Sequence, residues 1–110
     1  MTIVTIADAR RFSLDAVQRS LLLREPDLDV ELLCFEAGQV DEESERDATS
    51  LYQVLEGEAL LRAEDERHRL GKGKIASVPA GRSHRIENAG GGLLVVLATR
   101  TRDDDSRDSA

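Results

Sequence analysis

Residues 73–88 read GKIASVPAGRSHRIEN, two short segments that meet at a Pro-Ala-Gly corner. Pro79 has a fixed φ and Gly81 tolerates a positive φ, so together they favour a sharp turn between two strands. His84 begins the second strand, and the two-residue period of a strand places His84 and Asn88 on the same face. This stretch therefore predicts a β-corner that presents a histidine to one side of a sheet.

The alternation of short segments and turn residues continues through the chain from Asp29. Segments rich in Val, Ile and Leu alternate with Gly, Pro and acidic clusters at intervals of roughly ten residues, which is typical of an all-β sandwich or barrel. The segments are DVELLCFEA, SLYQVLEG, EALLRAE, HRLGKGKIASV, HRIENA and LLVVLATR. Gly57 and Asp65 are expected in turns, and AGGG at 89–92 is expected to be a flexible connection. Since no helix long enough for a parallel crossover is evident, the strands are expected to be antiparallel.

The two ends of the chain differ from this pattern. In the lead segment, residues 1–28, Ser13 could cap a short helix, but a strand beginning near Leu21 is an equal alternative. Residues 101–110, TRDDDSRDSA, are acidic and almost without apolar side chains, so we expect a disordered tail. The predicted barrel therefore occupies residues 29–100.

The composition narrows the function classes. With 22 acidic and 15 basic residues, the 110-residue chain has a net charge of −7, which argues against nucleic acid or membranes as partners. Cys34 is the only cysteine, so an intramolecular disulfide is excluded and a cytoplasmic location is expected. Cys34 is interpreted as a buried small hydrophobe and His68 as a surface residue of a charged strand.

Gly73, Pro79, Gly81, His84 and Asn88 resemble the second conserved motif of the cupins at every anchor and spacing. The chain is similar to the small single-domain prokaryotic cupins of the RmlC-like type. The resemblance implies a double-stranded β-helix, a jelly-roll barrel of two antiparallel sheets. It also implies that the histidine of this motif points into the barrel, where cupins bind a metal, and that the protein forms a homodimer, with the lead segment as a candidate contact.

The glycines and the spacing of the first cupin motif are present, but its usual metal-ligating side chains are not. Gly38, Ser44, Arg46, Ser50 and Gly57 fall at the family's spacing, but the family has histidines and a glutamate at the interior positions. Serine is a weak neutral ligand and arginine is a permanent cation that cannot ligate. Three of the four ligands that the resemblance implies are therefore missing, and we predict that the barrel carries no metal or other cofactor.

One hypothesis is that Arg46 supplies the positive charge that a metal would otherwise provide. Its guanidinium could then hold a small carboxylate or another anion inside the barrel, in a pocket lined by neutral groups. These lining residues would be Ser44, Ser50, Tyr52 and His84. Alternatively, Arg46 turns outward to its acidic neighbours, and Tyr52 and His84 are satisfied core groups.

The predicted function is a metal-free module that binds a small molecule or regulates a partner. The alternative is a metal-dependent cupin enzyme, similar to a dioxygenase or an isomerase, with ligands from His84 and the acidic run 43–47. A one-residue bulge would turn two of Glu43, Glu45 and Asp47 inward for this purpose. A third class is a structural or regulatory dimer with a filled interior.

Overall fold

The computed structural model describes residues 1–43 and 48–102, with the backbone alone at Glu43. The strands in these ranges are β1 (Gln18–Glu25), β2 (Leu28–Phe35), β3 (Val40–Glu43), β4 (Ser50–Glu56), β5 (Glu58–Ala63), β6 (Glu66–Gly71), β7 (Ile75–Val78), β8 (His84–Asn88) and β9 (Leu94–Thr101). A short 3-10 helix spans Ile6–Ala9. Within the described residues, no helix has the length and apolar character needed to span a bilayer.

Two sheets face each other. One has the strand order β1-β2-β9-β4-β7, and the other has the order β3-β8-β5-β6. The paired strands run antiparallel in both sheets. This architecture confirms the predicted all-β jelly roll of two antiparallel sheets.

The turns predicted at Gly57, Asp65 and Gly81 are present. Gly57 and Gly81 have a positive φ of 88° and 82°, which side chains with a Cβ rarely adopt, and the motif glycines Gly38 and Gly73 share this conformation. At Gly57 the chain also passes close to a neighbour, since a Cβ there would lie 2.3 Å from the carbonyl oxygen of Leu93. Glycine is therefore required at this turn for two independent reasons.

The central strands β2 and β9 are buried on both faces. Their inner faces, including Leu33 and Val96, join the main core between the sheets. Their outer faces, including Leu32 and Val95, form a second cluster covered by the N-terminal segment around Phe12. Burial on both sides explains why LLCF and LLVV are continuous apolar runs instead of alternating ones. Each large side chain buried in this way stabilises the fold by roughly 1.5–3 kcal/mol.

The lead segment forms a strand and not the helix that Ser13 could have capped. β1 pairs with β2 and extends the five-stranded sheet. Ser13 instead accepts a hydrogen bond from the backbone N–H of Asp15, 3.1 Å away, in a local turn. Leu22 of β1 packs, partly buried, against the outer cluster, and the backbone of β1 pairs with β2 along the whole strand. An isolated short helix would be marginal in water, so this pairing favours the strand.

The barrel continues beyond the boundary predicted at residue 100. Thr101 belongs to β9, and its N–H donates to the carbonyl oxygen of Thr49 at 3.0 Å. Arg102 donates its backbone N–H to the Asp27 carbonyl oxygen at 2.7 Å and forms an ion pair with Asp29. The expectation of a tail from residue 101 is therefore wrong for these two residues. Residues 103–110 lie outside the described part of the chain.

Candidate functional site

β8 presents alternate residues to the barrel interior. His84, Ile86 and Asn88 are buried, with 7%, 1% and 3% of their surface exposed, while Arg85 faces outward. The predicted two-residue period is therefore present in the strand that follows the Pro-Ala-Gly corner. Its single imidazole points toward the opposite sheet.

His84 is held at both ring nitrogens. Its Nδ1 lies 3.1 Å from the carbonyl oxygen of Arg82, and its Nε2 lies 2.6 Å from the hydroxyl of Tyr52. Because a carbonyl oxygen can only accept, Nδ1 carries a proton. When the ring is neutral, Nε2 accepts a hydrogen bond from the Tyr52 hydroxyl. The two rings also meet edge to face, with centroids 5.4 Å apart.

Tyr52 comes from β4 of the opposite sheet and is fully buried. Ser50, Tyr52 and Val54 share the inner face of β4, as their spacing predicts. Ser50 is 1% exposed and is paired in register with Val78 on β7. The structure thus brings together three of the five residues predicted to line the barrel, namely Ser50, Tyr52 and His84.

The other two predicted lining residues, Ser44 and Arg46, lie outside the described residues, as do Glu45 and Asp47. Glu43 is described by its backbone alone. The orientation of Arg46 and the contribution of the acidic run therefore remain predictions.

The structure adds a buried cation that the sequence prediction missed. Arg100, on the inner face of β9, is 5% exposed and lies over the Tyr52 ring, 5.9 Å from its centroid. Its guanidinium forms an ion pair with Glu31 on the neighbouring strand β2. The signal was available: Leu94, Val96 and Ala98 alternate inward, and the same period turns Arg100 inward.

A chain of ion pairs extends from Glu31 to β3. Arg19 lies 3.3 Å from Glu31, and its guanidinium also contacts both carboxylate oxygens of Asp41, at 2.5 and 2.6 Å. Asp41 is 8% exposed and pairs in register with Ile86. The inward carboxylates Glu31 and Asp41 are thus balanced by arginines of the same chain.

Asn88, the last anchor of the second motif, has a structural role. Its Nδ2 donates to the carbonyl oxygens of Gly92 and Glu36, at 2.8 and 3.0 Å, and its Oδ1 accepts from the N–H of Gly90 at 3.2 Å. These bonds tie the connection before β9 to the end of β2. Asn88 therefore shapes the barrel end opposite His84 along β8.

His84 also borders a cavity on the outer face of the four-stranded sheet, near the start of β8, which we call the His84 cavity. Its volume is about 680 Å³. The described residues that line it are Glu42, Arg62, Glu64, Asp65, Arg67, Ser83, His84 and Arg85. Three guanidiniums thus converge on the rim beside three carboxylates.

The donors of these arginines are only loosely engaged within the described structure. Arg85 lies 3.6 Å from Glu42, and Arg62 lies 3.9 Å from Glu87. Both separations exceed a hydrogen bond, although they allow electrostatic attraction. The Nε of Arg62 is buried and has no hydrogen-bond partner among the described residues. A ligand in the His84 cavity would therefore find the terminal guanidinium nitrogens of Arg62 and Arg85 available.

The described residues do not fit the metal that the cupin resemblance implies. They contain no group of three or more His, Cys, Asp or Glu side chains placed to hold an ion. Nε2 is the only nitrogen of His84 that Arg82 leaves available, and the Tyr52 hydroxyl occupies it. The inward carboxylate of Asp41 is engaged by Arg19.

The remaining candidates lie away from this site. His68 is exposed and lies 3.3 Å from Glu66. Cys34 is 1% exposed on the outer face of β2, and burial raises the pKa of its thiol. Since a thiol with a raised pKa is a poor nucleophile at neutral pH, Cys34 lacks the features of a catalytic cysteine.

Comparisons with known proteins agree with this architecture. A family model described as "Cupin domain" matches residues 31–100. The solved structure of TT1209 from Thermus thermophilus is 22% identical, with a TM-score of 0.85 over 92% of this chain and 97% of that chain. Among curated proteins, no sequence matches the chain.

Two further solved structures have similar folds. A cupin superfamily protein from Desulfitobacterium hafniense is 25% identical, with a TM-score of 0.79, and the match covers 91% of this chain and 90% of that chain. An RmlC-like cupin from Desulfovibrio desulfuricans is 21% identical, with a TM-score of 0.78, and the match covers 92% and 96% of the two chains. These likenesses concern the jelly-roll fold.

Proposed function

The chain belongs to the cupin domain family, and we propose that it binds a small carboxylate-bearing molecule in the His84 cavity without using a metal. The observation that carries the proposal is the 2.6 Å contact between the Tyr52 hydroxyl and Nε2 of His84. This bond engages the ring nitrogen that a metal would need, so His84 borders the cavity without serving as a metal ligand. Its lone pair is directed to a neutral partner within the protein.

A carboxylate is the favoured ligand group because arginines supply the positive charge. Arg62, Arg67 and Arg85 line the cavity, and a guanidinium binds a carboxylate through two parallel hydrogen bonds. The carboxylates of Glu42, Glu64 and Asp65 share the rim, so a ligand with hydroxyl or amine donors as well as a carboxylate fits best. The cavity volume lies within the range of small-molecule sites, roughly 300–1,000 Å³.

Inside the barrel, Arg100 places a permanent cation over the Tyr52 ring, and Glu31 balances its charge. A divalent metal close to this guanidinium would be repelled, which supports the metal-free proposal. The role of Arg46 stays a prediction. The fold alone does not decide the function, and the proposal depends on these side chains.

The first test is elemental analysis by mass spectrometry of protein purified without a histidine tag or chelator. We expect near-zero divalent metal per chain. Near-stoichiometric zinc, iron, nickel or manganese would overturn the metal-free proposal. It would favour instead the metal-dependent enzyme with ligands from His84 and the acidic run 43–47.

The second test is a titration with small hydroxy- and keto-carboxylates, followed by NMR of the labelled chain. We expect shifts at Ser83, His84 and Arg85. Arg62→Gln should weaken binding at least about tenfold, because a hydrogen bond to a charged group contributes roughly 1.5–3 kcal/mol. Arg24→Gln is the matched control, since Arg24 lies on β1 in an exposed ion pair of similar length, 3.7 Å. Equal effects of the two variants would refute a site in the His84 cavity.

A further inference from the structure

A second cavity lies where the two sheets separate. β6 is an edge strand of one sheet and β7 is an edge strand of the other, and no ladder joins them within the described residues. Between them is a cavity of about 370 Å³, which we call the β6–β7 slot. Its lining includes Leu61, Leu70, Ala76, Val78 and Lys74, and the described residues that line it are all different from those that line the His84 cavity.

The floor of the slot is the surface of the main core. Leu61, Leu70 and Val78 belong to the buried apolar cluster, and Ala76 packs against it. A ligand seated here would bury its apolar part against side chains that keep 4–8% of their surface exposed. The small side chain of Ala76 leaves room at this point of the floor.

The rim of the slot is positively charged in a protein whose net charge is −7. Arg69, Lys74 and Arg82 line it beside the carboxylate of Glu66. Arg82 is paired with Glu66, and Arg69 lies 2.5 Å from Glu58 just outside the lining. His68 is also on the rim, 3.3 Å from Glu66.

Lys74 is the rim cation that this pairing does not neutralise. Within residues 1–43 and 48–102, its ammonium makes no ion pair, whereas the two rim arginines do. It lies immediately before β7, two residues before Ala76 in the chain. An apolar floor with an available cation at its edge is complementary to an amphipathic anion.

We propose that the β6–β7 slot binds a small alkyl carboxylate, with its hydrocarbon chain on the apolar floor and its carboxylate at Lys74. This site is separate from the His84 cavity and selects a different ligand. The His84 cavity offers polar donors and three arginines, whereas the slot offers hydrocarbon contact and an ammonium.

The test is an NMR titration of the full chain with hexanoate, octanoate and 1-octanol at neutral pH. Octanoate should shift the signals of Leu70, Ala76 and Val78. It should bind roughly tenfold more tightly than hexanoate, because each buried methylene contributes a factor of about three to four. It should also bind at least threefold more tightly than octanol, which lacks the charge. Equal affinities for octanoate and octanol would overturn the role of Lys74.

Two variants of the same turn provide a matched comparison. Lys74→Gln should weaken octanoate binding about threefold or more, whereas Lys72→Gln, at an exposed position outside the slot, should leave it unchanged. Ala76→Phe should abolish binding by filling the floor, with a thermal melt to verify folding. Arg62→Gln should not affect octanoate binding, which separates this site from the His84 cavity. Equal effects of the two lysine variants, or shifts confined to the His84 cavity, would refute the proposal.

Discussion

The hydroxyl of Tyr52 and Nε2 of His84 lie 2.6 Å apart and join the two sheets of the barrel through a buried hydrogen bond. The residues are 32 positions apart in the chain. The bond completes the partners of the imidazole, whose other nitrogen donates to the Arg82 carbonyl oxygen. Several measurable properties of the protein depend on this pair and on the charges beside it.

Tyr52→Phe should destabilise the protein by about 1–3 kcal/mol, because it leaves Nε2 of His84 buried without its donor. Urea unfolding followed by circular dichroism measures the change. ¹⁵N spectra of the two histidines should show His84 as the tautomer protonated at Nδ1 in both proteins. An unchanged stability together with an unchanged Nε2 signal would contradict the assigned hydrogen bond.

Arg100→Met should lower the free energy of unfolding by about 3 kcal/mol, because Glu31 loses a buried cationic partner. This value is near the lower end of the range for breaking a buried ion pair, since the Glu31 side chain is itself 23% exposed. The matched control is Arg10→Met, which breaks an ion pair whose side chains are 36% and 46% exposed. That variant should cost less than about 1 kcal/mol. Equal losses in chemical denaturation would show that burial of Arg100 has no energetic consequence.

Gly57→Ala should destabilise the protein more than Gly73→Ala does. Both glycines have a φ near +90°, so alanine strains the backbone at each by about 1–2 kcal/mol. At Gly57 the new Cβ also meets the Leu93 carbonyl oxygen at 2.3 Å, whereas at Gly73 no atom of the described residues lies within 4 Å. Thermal denaturation should therefore separate the two variants, and the same melting temperature for both would refute the close approach.

Acid should destabilise the wild type through Glu66. The hydrogen bond from Arg82 lowers the pKa of Glu66 below its ordinary value of 4.5. The ion pair therefore contributes stability above pH 4.5, and this contribution is lost as the pH falls through the lowered pKa. Melting temperatures between about pH 6 and 3 should decline less steeply for Glu66→Gln than for the wild type. Parallel curves would exclude the contribution.

Cys34 should be unreactive in the native protein. Burial raises the pKa of its thiol above 9.0, so the thiol stays protonated at neutral pH. Its favourable contribution to stability is present below the unfolded pKa and is lost as the pH rises through the raised value. Labelling with a thiol-specific disulfide reagent at about pH 8 should accelerate with added urea, in step with unfolding. Complete labelling within seconds in the absence of urea would contradict this prediction.

Some features of the site follow from local pattern alone. The alternation in SLYQVLE predicts Tyr52 inside, and HRIEN predicts His84 and Asn88 on one face, since a strand has a period of two residues. The same rule applied to LLVVLATR would have identified Arg100. It was missed because continuous apolar residues in β9 hide the alternation, as both faces of that strand are buried.

The lead segment shows the limit of local reasoning. The short apolar run around Leu21 is compatible with a helix or a strand by its local pattern. In the folded chain this segment pairs with β2, and the pairing makes it a strand. The C-terminal boundary of the barrel also depends on pairing with a distant segment. Arg102 is polar and reads as part of a tail, but Asp27 and Asp29 across the sheet bind it.

Local sequence patterns were enough to predict the turn positions, the face on which each alternating residue lies and the family resemblance of the 73–88 corner. Which inward residues meet depended instead on the folded arrangement. Tyr52 faces His84, and Arg100 pairs with Glu31 across 69 positions, because the strand order and register bring those strands together. The physical reason is that alternation is a local property of the backbone, whereas pairing between distant strands depends on how the whole chain buries its apolar surface.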